Sequence, residues 1–394
     1  TGADQPGITA RLTGIIATST ASLLDIEQVV VQGHLTLALL LALDDDDGLL
    51  KDLLFAAKSL GVELDFAPVE PDDPSSPSRD DQRFVVTAIG RSLGARELHA
   101  VASTLADHQG NIERIHRLSK GDLGSVEIHL GLPAGADPEP LKRSLLELGM
   151  QESFDVALQR EGLFRRSKRL VVMDMDSTLI RIEVIDELAR AHGVAERVAA
   201  ITERAMQGEM DYDESLRQRL GLLEGLDVSV LRKLASELPL TEGAEKLIAT
   251  LKRLGYRTAV ISGGFSIAAE ALKARLGIDY AYSNTLEVAG GKLTGRVIGP
   301  IVNGKRKAEL LEVIAQAEGV LLDQVIAVGD GANDVPMLEK AGLGIAFRAK
   351  KSLRERADTS LSATGLDAIL YLLGISAEEL QDATARFGET PGER

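Results

Sequence analysis

No cysteine occurs among the 394 residues. That excludes a disulfide framework, a thiolate metal site and a thiol nucleophile. It also suits a reducing cytoplasm, the expected location. Tryptophan is absent, and aromatic residues make up only 3% of the chain, so Leu, Val, Ile and Ala must fill the interior. Long apolar runs are lacking. The longest, L-T-L-A-L-L-L-A-L from Leu35 to Leu43, falls well short of the ~20 residues of a spanning helix. It reads as a buried strand, and no membrane partner is expected. No basic-then-apolar segment opens the sequence. Basic residues are in deficit, 44 against 60 acidic ones, for a net charge of −16. Such a chain is repelled by DNA, RNA and anionic lipid. A small anionic substrate stays open, because a local site can be positive within a negative whole.

The length predicts two or three domains of ~150 residues each. Pro68 to Gln82, P-V-E-P-D-D-P-S-S-P-S-R-D-D-Q, reads as a linker, with its core at 71–82, because proline, serine and charge cannot build a core. On either side the same order of patterns recurs, a weak repeat that suggests βαββαβ twice, over 1–70 and 83–162. In the first half, Gly61 marks the stop of an amphipathic helix. In the second, strands are predicted at 84–89, 112–118, 125–132 and 153–158, with helices at 97–109 and 140–148. From Arg169 the pattern becomes alternating α/β. The runs L-V-V-M, T-A-V-I-S and V-I-A-V-G each end in polar or glycine residues. Continuous apolar strands with helical crossovers predict a parallel sheet covered on both faces. In such sheets, sites form at the carboxyl ends of strands.

Asp174 and Asp176 leave the first run on the same side. Two carboxylates there repel unless a cation lies between them or one is protonated. Mg²⁺ suits such oxygen ligands. Asp330 and Asp334 end the third run, in G-D-G-A-N-D. Ser262, with Gly263 and Gly264, offers a hydroxyl and open backbone N–H groups, a cradle for a phosphate. Lys307, at a helix start in G-K-R-K, favours an anion twice over, by its charge and by the helix dipole. Each feature has a plainer reading when taken singly: a solvated strand end, a turn serine, a surface lysine. A Ser262 nucleophile finds no histidine in a comparable motif.

Together, these four motifs in this order resemble the haloacid dehalogenase superfamily of phosphohydrolases, over Arg169 to about Asp358. The resemblance implies a Rossmann-like parallel sheet, in a domain over 163–394, with a helical cap insertion at about 183–255. It makes Asp174 the nucleophile and Asp176 the general acid and base. Ser262, Gly263 and Lys307 then hold the phosphate. Mg²⁺ is held by the Asp174 carboxylate, the Asp176 backbone carbonyl and Asp330, with Asp334 orienting its waters or Lys307. Within the superfamily, D-M-D-S-T-L-I-R-I-E and M-Q-G-E-M-D-Y-D-E-S-L-R-Q-R-L resemble the phosphoserine phosphatase family. That resemblance puts Glu183 on the substrate ammonium and Arg219 on its carboxylate. Met206 and Tyr212 take the apolar cap contacts, with Tyr212 where phenylalanine is usual, and Asn333 lies beside the phosphate.

The bottom-up alternatives are that Glu183 caps the next helix and that Arg219 sits on a solvated face. Spacing alone does not separate Arg219 from Arg217. The N-terminal halves resemble tandem ACT domains, most clearly in D-Q-P-G-I-T from Asp4 to Thr9. The resemblance implies an amino-acid effector, serine, near Asp4, Gly7 and Gly90, and a homodimer. A plain ferredoxin-like dimerisation module is the alternative. For the whole chain, two other readings stand beside phosphoserine hydrolysis. One is a phosphatase of another small phosphomonoester. The other is an amino-acid-binding regulator with a vestigial phosphatase half. The six histidines form no metal-ligand spacing.

Overall fold

Two units divide the chain, Thr1–Ser76 and Pro77–Arg394. The computed structural model describes residues 1–43, 48–69, 82–91, 93–121 and 123–387. The stretch read as a linker lies almost wholly outside the described residues.

In the first unit, a two-residue strand, β1 (Gly2–Ala3), leads through α1 (Ile8–Ile16) to the hairpin β2 (Ser22–Val31) and β3 (His34–Ala42), then to α2 (Leu49–Leu60). The sheet order is β1-β3-β2. Gly61, at φ 69°, ends α2 in the left-handed conformation that glycine tolerates best. Two expectations need correction. The final strand of the βαββαβ pattern is missing among the described residues. Only reciprocal backbone bonds join Thr1 and Glu63, at 2.7 and 2.8 Å. Beyond them the Asp65 carboxylate takes the Phe66 N–H and Pro68 has none to give, so no ladder continues. The Leu35–Leu43 run is indeed a strand, but not a buried one. Leu35 is its one buried residue, and Leu37, Leu39 and Leu41 are partly covered by α1 and α2. The alternate residues face water.

The second unit opens with β4 (Gln82–Gly90), α3 (Ala95–Asp107), β5 (Asn111–Lys120), β6 (Gly124–Leu132), α4 (Glu139–Glu152) and β7 (Asp155–Arg160). This is a complete βαββαβ with antiparallel order β7-β4-β6-β5. Val86 and Ile128 from the sheet pack against Leu105 of α3 and Leu145 of α4.

A single turn, α5 (Leu163–Arg166), leads to the alternating part. There follow β8 (Leu170–Met173) and five helices: α6 (Val184–Ala191), α7 (Ala195–Met206), α8 (Tyr212–Gly221), α9 (Val228–Ser236) and α10 (Ala244–Arg253). Next come β9 (Arg257–Phe265), α11 (Ser266–Leu276), the hairpin β10 (Tyr280–Ala289) and β11 (Lys292–Ile298), and α12 (Gly304–Ala317). The chain continues through β12 (Val325–Gly329), α13 (Val335–Lys340), β13 (Leu343–Phe347), α14 (Lys351–Arg354) and β14 (Thr359–Leu361) to two further helices, α15 (Ile369–Leu372) and α16 (Ala377–Phe387). Strands β10-β9-β8-β12-β13-β14 are parallel neighbours. Along β8, Val171 and Met173 enter one apolar cluster, and Leu170 and Val172 enter the other. Both sheet faces are therefore covered, which is why the run is unbroken by polar residues. Gly290 and Gly291, at φ 57° and 80°, turn β10 into β11 as the sequence predicts. At the other side, β14 pairs with β7 through Thr359 and Ala157. One sheet of eleven strands thus runs from β11 to β5, across the boundary that the sequence draws at residue 162.

Candidate active site

Strand β8 lies between β9 and β12, and all three end at the same edge. A tight turn over Met175–Leu179 follows β8, with Ser177 at φ 56°. It closes when the Ile180 N–H donates to Met175 O, at 3.0 Å. The turn drops Asp174 and Asp176 into the gap facing the ends of β9 and β12. Lys307, fully buried in the first turn of α12, spans the floor. Its Nζ lies 2.8 Å from Asp174 Oδ1 and 2.6 Å from Asp334 Oδ1. Asp334 Oδ2 accepts the backbone N–H groups of Asp330 and Gly331 at 3.1 and 3.0 Å, which shapes the loop after β12. From β9, the Gly264 N–H donates to Ser262 Oγ at 2.8 Å, and Ser262 Oγ stands 3.5 Å from Asp176 Oδ2. A side chain at Gly264 would strike Asp176, and one at Gly263 would strike the Tyr212 hydroxyl. The cradle therefore depends on glycine at both positions.

A cavity of about 850 Å³ opens above this floor. Asp174, Asp176, Glu183, Met206, Tyr212, Arg219, Ser262, Gly263, Asp330 and Asn333 all line it. Lys307 and Asp334 lie beneath. The roof comes from α6 to α8. Glu183 stands at the start of α6, but its side chain makes no capping bond. It accepts instead from Ser177 Oγ at 2.7 Å and faces the cavity. Arg219 is half-buried and cavity-lining, whereas Arg217 is exposed and is not part of the lining. Glu183 therefore does not cap α6 through its side chain, and Arg219 lies on the cavity wall. Tyr212 donates to Gly263 O at 3.4 Å, so the roof touches the cradle.

Family models match the chain in three places: a haloacid dehalogenase-like hydrolase over residues 168–342, and ACT domains over 1–67 and 83–159. A phosphoserine phosphatase of Streptomyces coelicolor is 44% identical over 99% of this chain and 95% of its own length. The chain belongs to the phosphoserine phosphatase family. A haloacid dehalogenase family hydrolase from Salmonella enterica subsp. enterica serovar Typhi has a similar solved structure. It matches with a TM-score of 0.66 at 31% identity, over 74% of this chain and 98% of that one. A structure titled as the phospho-aspartyl intermediate analogue of phosphoserine phosphatase matches with a TM-score of 0.50 at 48% identity, over 52% of this chain and 98% of that one.

The electrostatics of this family member's cavity fit a divalent cation. Carboxylate oxygens of Asp174, Asp330 and Asp334 lie within 4.8 Å of one another. Burial and the Asp334 charge push the Asp174 pKa well up, against the pull of Lys307. The same two causes raise Asp330 to about 7. Burial and Glu183 push Asp176 up to about 8. The ammonium of Lys307 loses solvation, yet Asp174 and Asp334 more than offset that and hold it charged. One lysine does not balance so many carboxylates. A hard cation between Asp174 and Asp330 would complete the balance and restore their ionised forms. Asp334, with both oxygens already engaged, suits orienting Lys307 rather than binding metal.

The sequence missed several residues here. Asn284, 2% exposed, donates to Gly263 O at 2.7 Å and accepts from the Val302 N–H at 2.9 Å, tying β10 to the cradle. Asn303 caps α12 through the Arg306 N–H at 3.0 Å and donates to Asp213 Oδ1 in the roof, also at 3.0 Å. Its place just before G-K-R-K was a readable helix-start signal. Lys350 lines the cavity and had no signal in the sequence. Of the positions linked to an effector, Asp4 and Gly7 lie exposed in the first unit, Gly7 at φ 99°. Gly90 is buried against Phe154, where a Cβ would come within 2.9 Å of the Phe154 side chain. What the structure shows at Gly90 is close packing. No helix among the described residues is long and apolar enough to cross a membrane.

Proposed function

We propose that this enzyme hydrolyses O-phospho-L-serine to L-serine and phosphate through a phosphorylated Asp174, with Mg²⁺ as cofactor. The observation that carries the reading is the convergence of Asp174, Asp176 and Lys307 beneath a cavity whose roof offers Glu183 and Arg219. Asp174 Oδ1 is held by the Met175 N–H at 2.7 Å and by Lys307. The carboxylate is thus aimed at the cavity before substrate arrives. It attacks phosphorus and forms the acyl phosphate. Lys307 and the Ser262–Gly264 cradle take the charge on the phosphoryl oxygens. Asp176, protonated near neutrality by its raised pKa, gives its proton to the leaving serine oxygen. It then takes one from the water that cleaves the intermediate. Bound Mg²⁺, held by Asp174, the Asp176 carbonyl and Asp330, would neutralise charge on the phosphate. Glu183 pairs the substrate ammonium, and Arg219 receives its carboxylate in a two-pronged contact. Met206 and Tyr212 cover the carbon chain, and Asn333 stands on the phosphate side.

We further propose that serine binds the ACT domains and regulates turnover, and that the chain works as a homodimer. The two ACT matches and the exposed apolar residues along β2, among them Leu24 and Val31 at more than 60% exposure, support this. The deciding experiment is phosphate release from phosphoserine with and without Mg²⁺, repeated for Glu183→Gln and Arg219→Met. Mg²⁺-dependent release that loses its preference for phosphoserine in both variants is expected. Undiminished selectivity would point to a different phosphomonoester, and no release at all to a vestigial site.

A further inference from the structure

Helix α4 and the segment 354–363 face each other across a cavity of about 480 Å³, which shares no lining residue with the catalytic cavity. A second space of about 290 Å³ adjoins it and shares Leu146, Met150, Arg354 and Ser360. The walls differ in kind. Leu146 and Met150 of α4 offer an apolar surface, and Met150 is 51% exposed. Arg143 and Arg354 bring two guanidinium groups. In a chain of net charge −16, arginines usually find carboxylates, and most of those near this junction do. Arg165 and Arg166 both pair with Glu127, and Lys142 is 3.7 Å from Asp358. Arg143 and Arg354 take no partner among the described residues, and Arg354 Nε is sealed from water without an acceptor. Ser360 adds a hydroxyl at the same wall.

We propose that this cavity binds a small organic carboxylate with an apolar body. The carboxylate lies between Arg143 and Arg354, where a small turn of the Arg354 guanidinium presents its Nε and Nη edge for a bidentate contact. The apolar body rests on Leu146 and Met150. The volume suits an amino-acid-sized molecule and lies within the usual range of small-ligand sites, ~300–1,000 Å³. Glu139 and Glu147 on the rim would accept an ammonium if the ligand carries one. Two sources share this chemistry, a free amino acid and the corresponding 2-oxo acid. The site is separate from the catalytic cavity, though α14 links the two. That helix is one turn long and joins Arg354 to Lys350, which lines the active site.

The test is calorimetric titration of the full chain with L-leucine, 4-methyl-2-oxopentanoate and L-leucinol, the last lacking the carboxylate. At least one of the two carboxylates should bind, leucinol should not, and the better of the two identifies the source. Arg354→Met should weaken binding by about tenfold or more. Met150→Trp, which fills the apolar side and leaves both arginines in place, should abolish it. Both variants should keep the wild-type melting temperature and phosphate release, which reports on the catalytic reading independently. Binding that is undiminished in both variants, equal affinity for leucinol, or no binding of either carboxylate overturns the proposal.

Discussion

Lys307 holds two carboxylates while exposing no surface of its own. A buried charge is tolerated only when it is paired, and loss of one partner strands the others at a cost of about 3–5 kcal/mol. Lys307→Met should therefore melt at a lower temperature than the parent, and the deficit should grow with pH. Without the ammonium that pulls it down, Asp174 is retained as a neutral acid, its folded-state pKa lies further above the unfolded one, and that contribution to stability is lost as pH rises through the folded value. A deficit that is flat between pH 5 and 8 would argue against this account. Asp330, raised to about 7 by burial and by Asp334, makes a second prediction. A cation must displace its proton below that pH. Mg²⁺ should bind about tenfold more weakly at pH 6 than well above pH 7 from this group alone, with proton release on binding. Titration calorimetry in buffers of different ionisation enthalpy reads both quantities. At this scale most of the site was legible, because Asp174, Asp176, Ser262, Lys307, Asp330 and Asp334 sit in short motifs at strand ends and a helix start. Arg219 against Arg217 was undecided by spacing, although helical phase favours Arg219. Tyr212, Ser215 and Arg219 follow one another at intervals of three and four and share a face, and Arg217 falls off it.

The N-terminus of α12 does more than carry Lys307. Asn303 satisfies the Arg306 N–H and reaches Asp213 at the start of α8, while Tyr212 next to it reaches the carbonyl of Gly263. Roof and floor are thus fastened at adjacent residues of one helix. Asn303→Asp separates the two roles. Aspartate is as good an N-cap as asparagine, so α12 should stay stable within ~0.5 kcal/mol. The second carboxylate would repel Asp213, however, and remove the donor. The expected result is an unchanged melting temperature with kcat/KM down by roughly fivefold to tenfold, the equivalent of ~1–1.4 kcal/mol. A fall in both by equal measure would assign Asn303 to helix stability alone. Strands β8, β9 and β12 were readable as elements because a parallel sheet covered on both faces needs unbroken apolar runs. The first unit was less so. Its leucine-rich run looks equally apolar, but its sheet is covered on one face only, and one-faced cover does not follow from composition.

Across the whole molecule, the join between the second ACT domain and the catalytic part was the least legible feature. The sequence marks residue 162 as a change of pattern, yet the sheet continues through it by way of the three-residue strand β14. A run as short as T-S-L carries no periodicity, and its partner β7 lies about 200 residues earlier, so only the folded chain reveals the pairing. Asp155 secures it. Its carboxylate accepts from the Ser362 N–H at 2.6 Å, from the Ala363 N–H at 3.2 Å and from the Thr364 hydroxyl at 2.8 Å. Burial raises its pKa, with these bonds pulling the other way. The join makes the second ACT domain part of the catalytic body, whereas the first unit has an apolar core of its own around Leu12, Leu35 and Leu53. Three chains test the asymmetry. Residues 77–394 should fold and retain phosphate release. Residues 163–394 should fold less stably, since β14 is left as a bare edge and the donors at 362, 363 and 364 lose their acceptor. Asp155→Ala in the longer chain should reproduce part of that loss, about 2–3 kcal/mol, because buried donors are left unpaired. Urea unfolding of all three gives the comparison. Equal stability of the two truncated chains would mean that the eleven-stranded sheet is continuous in geometry but not in energy.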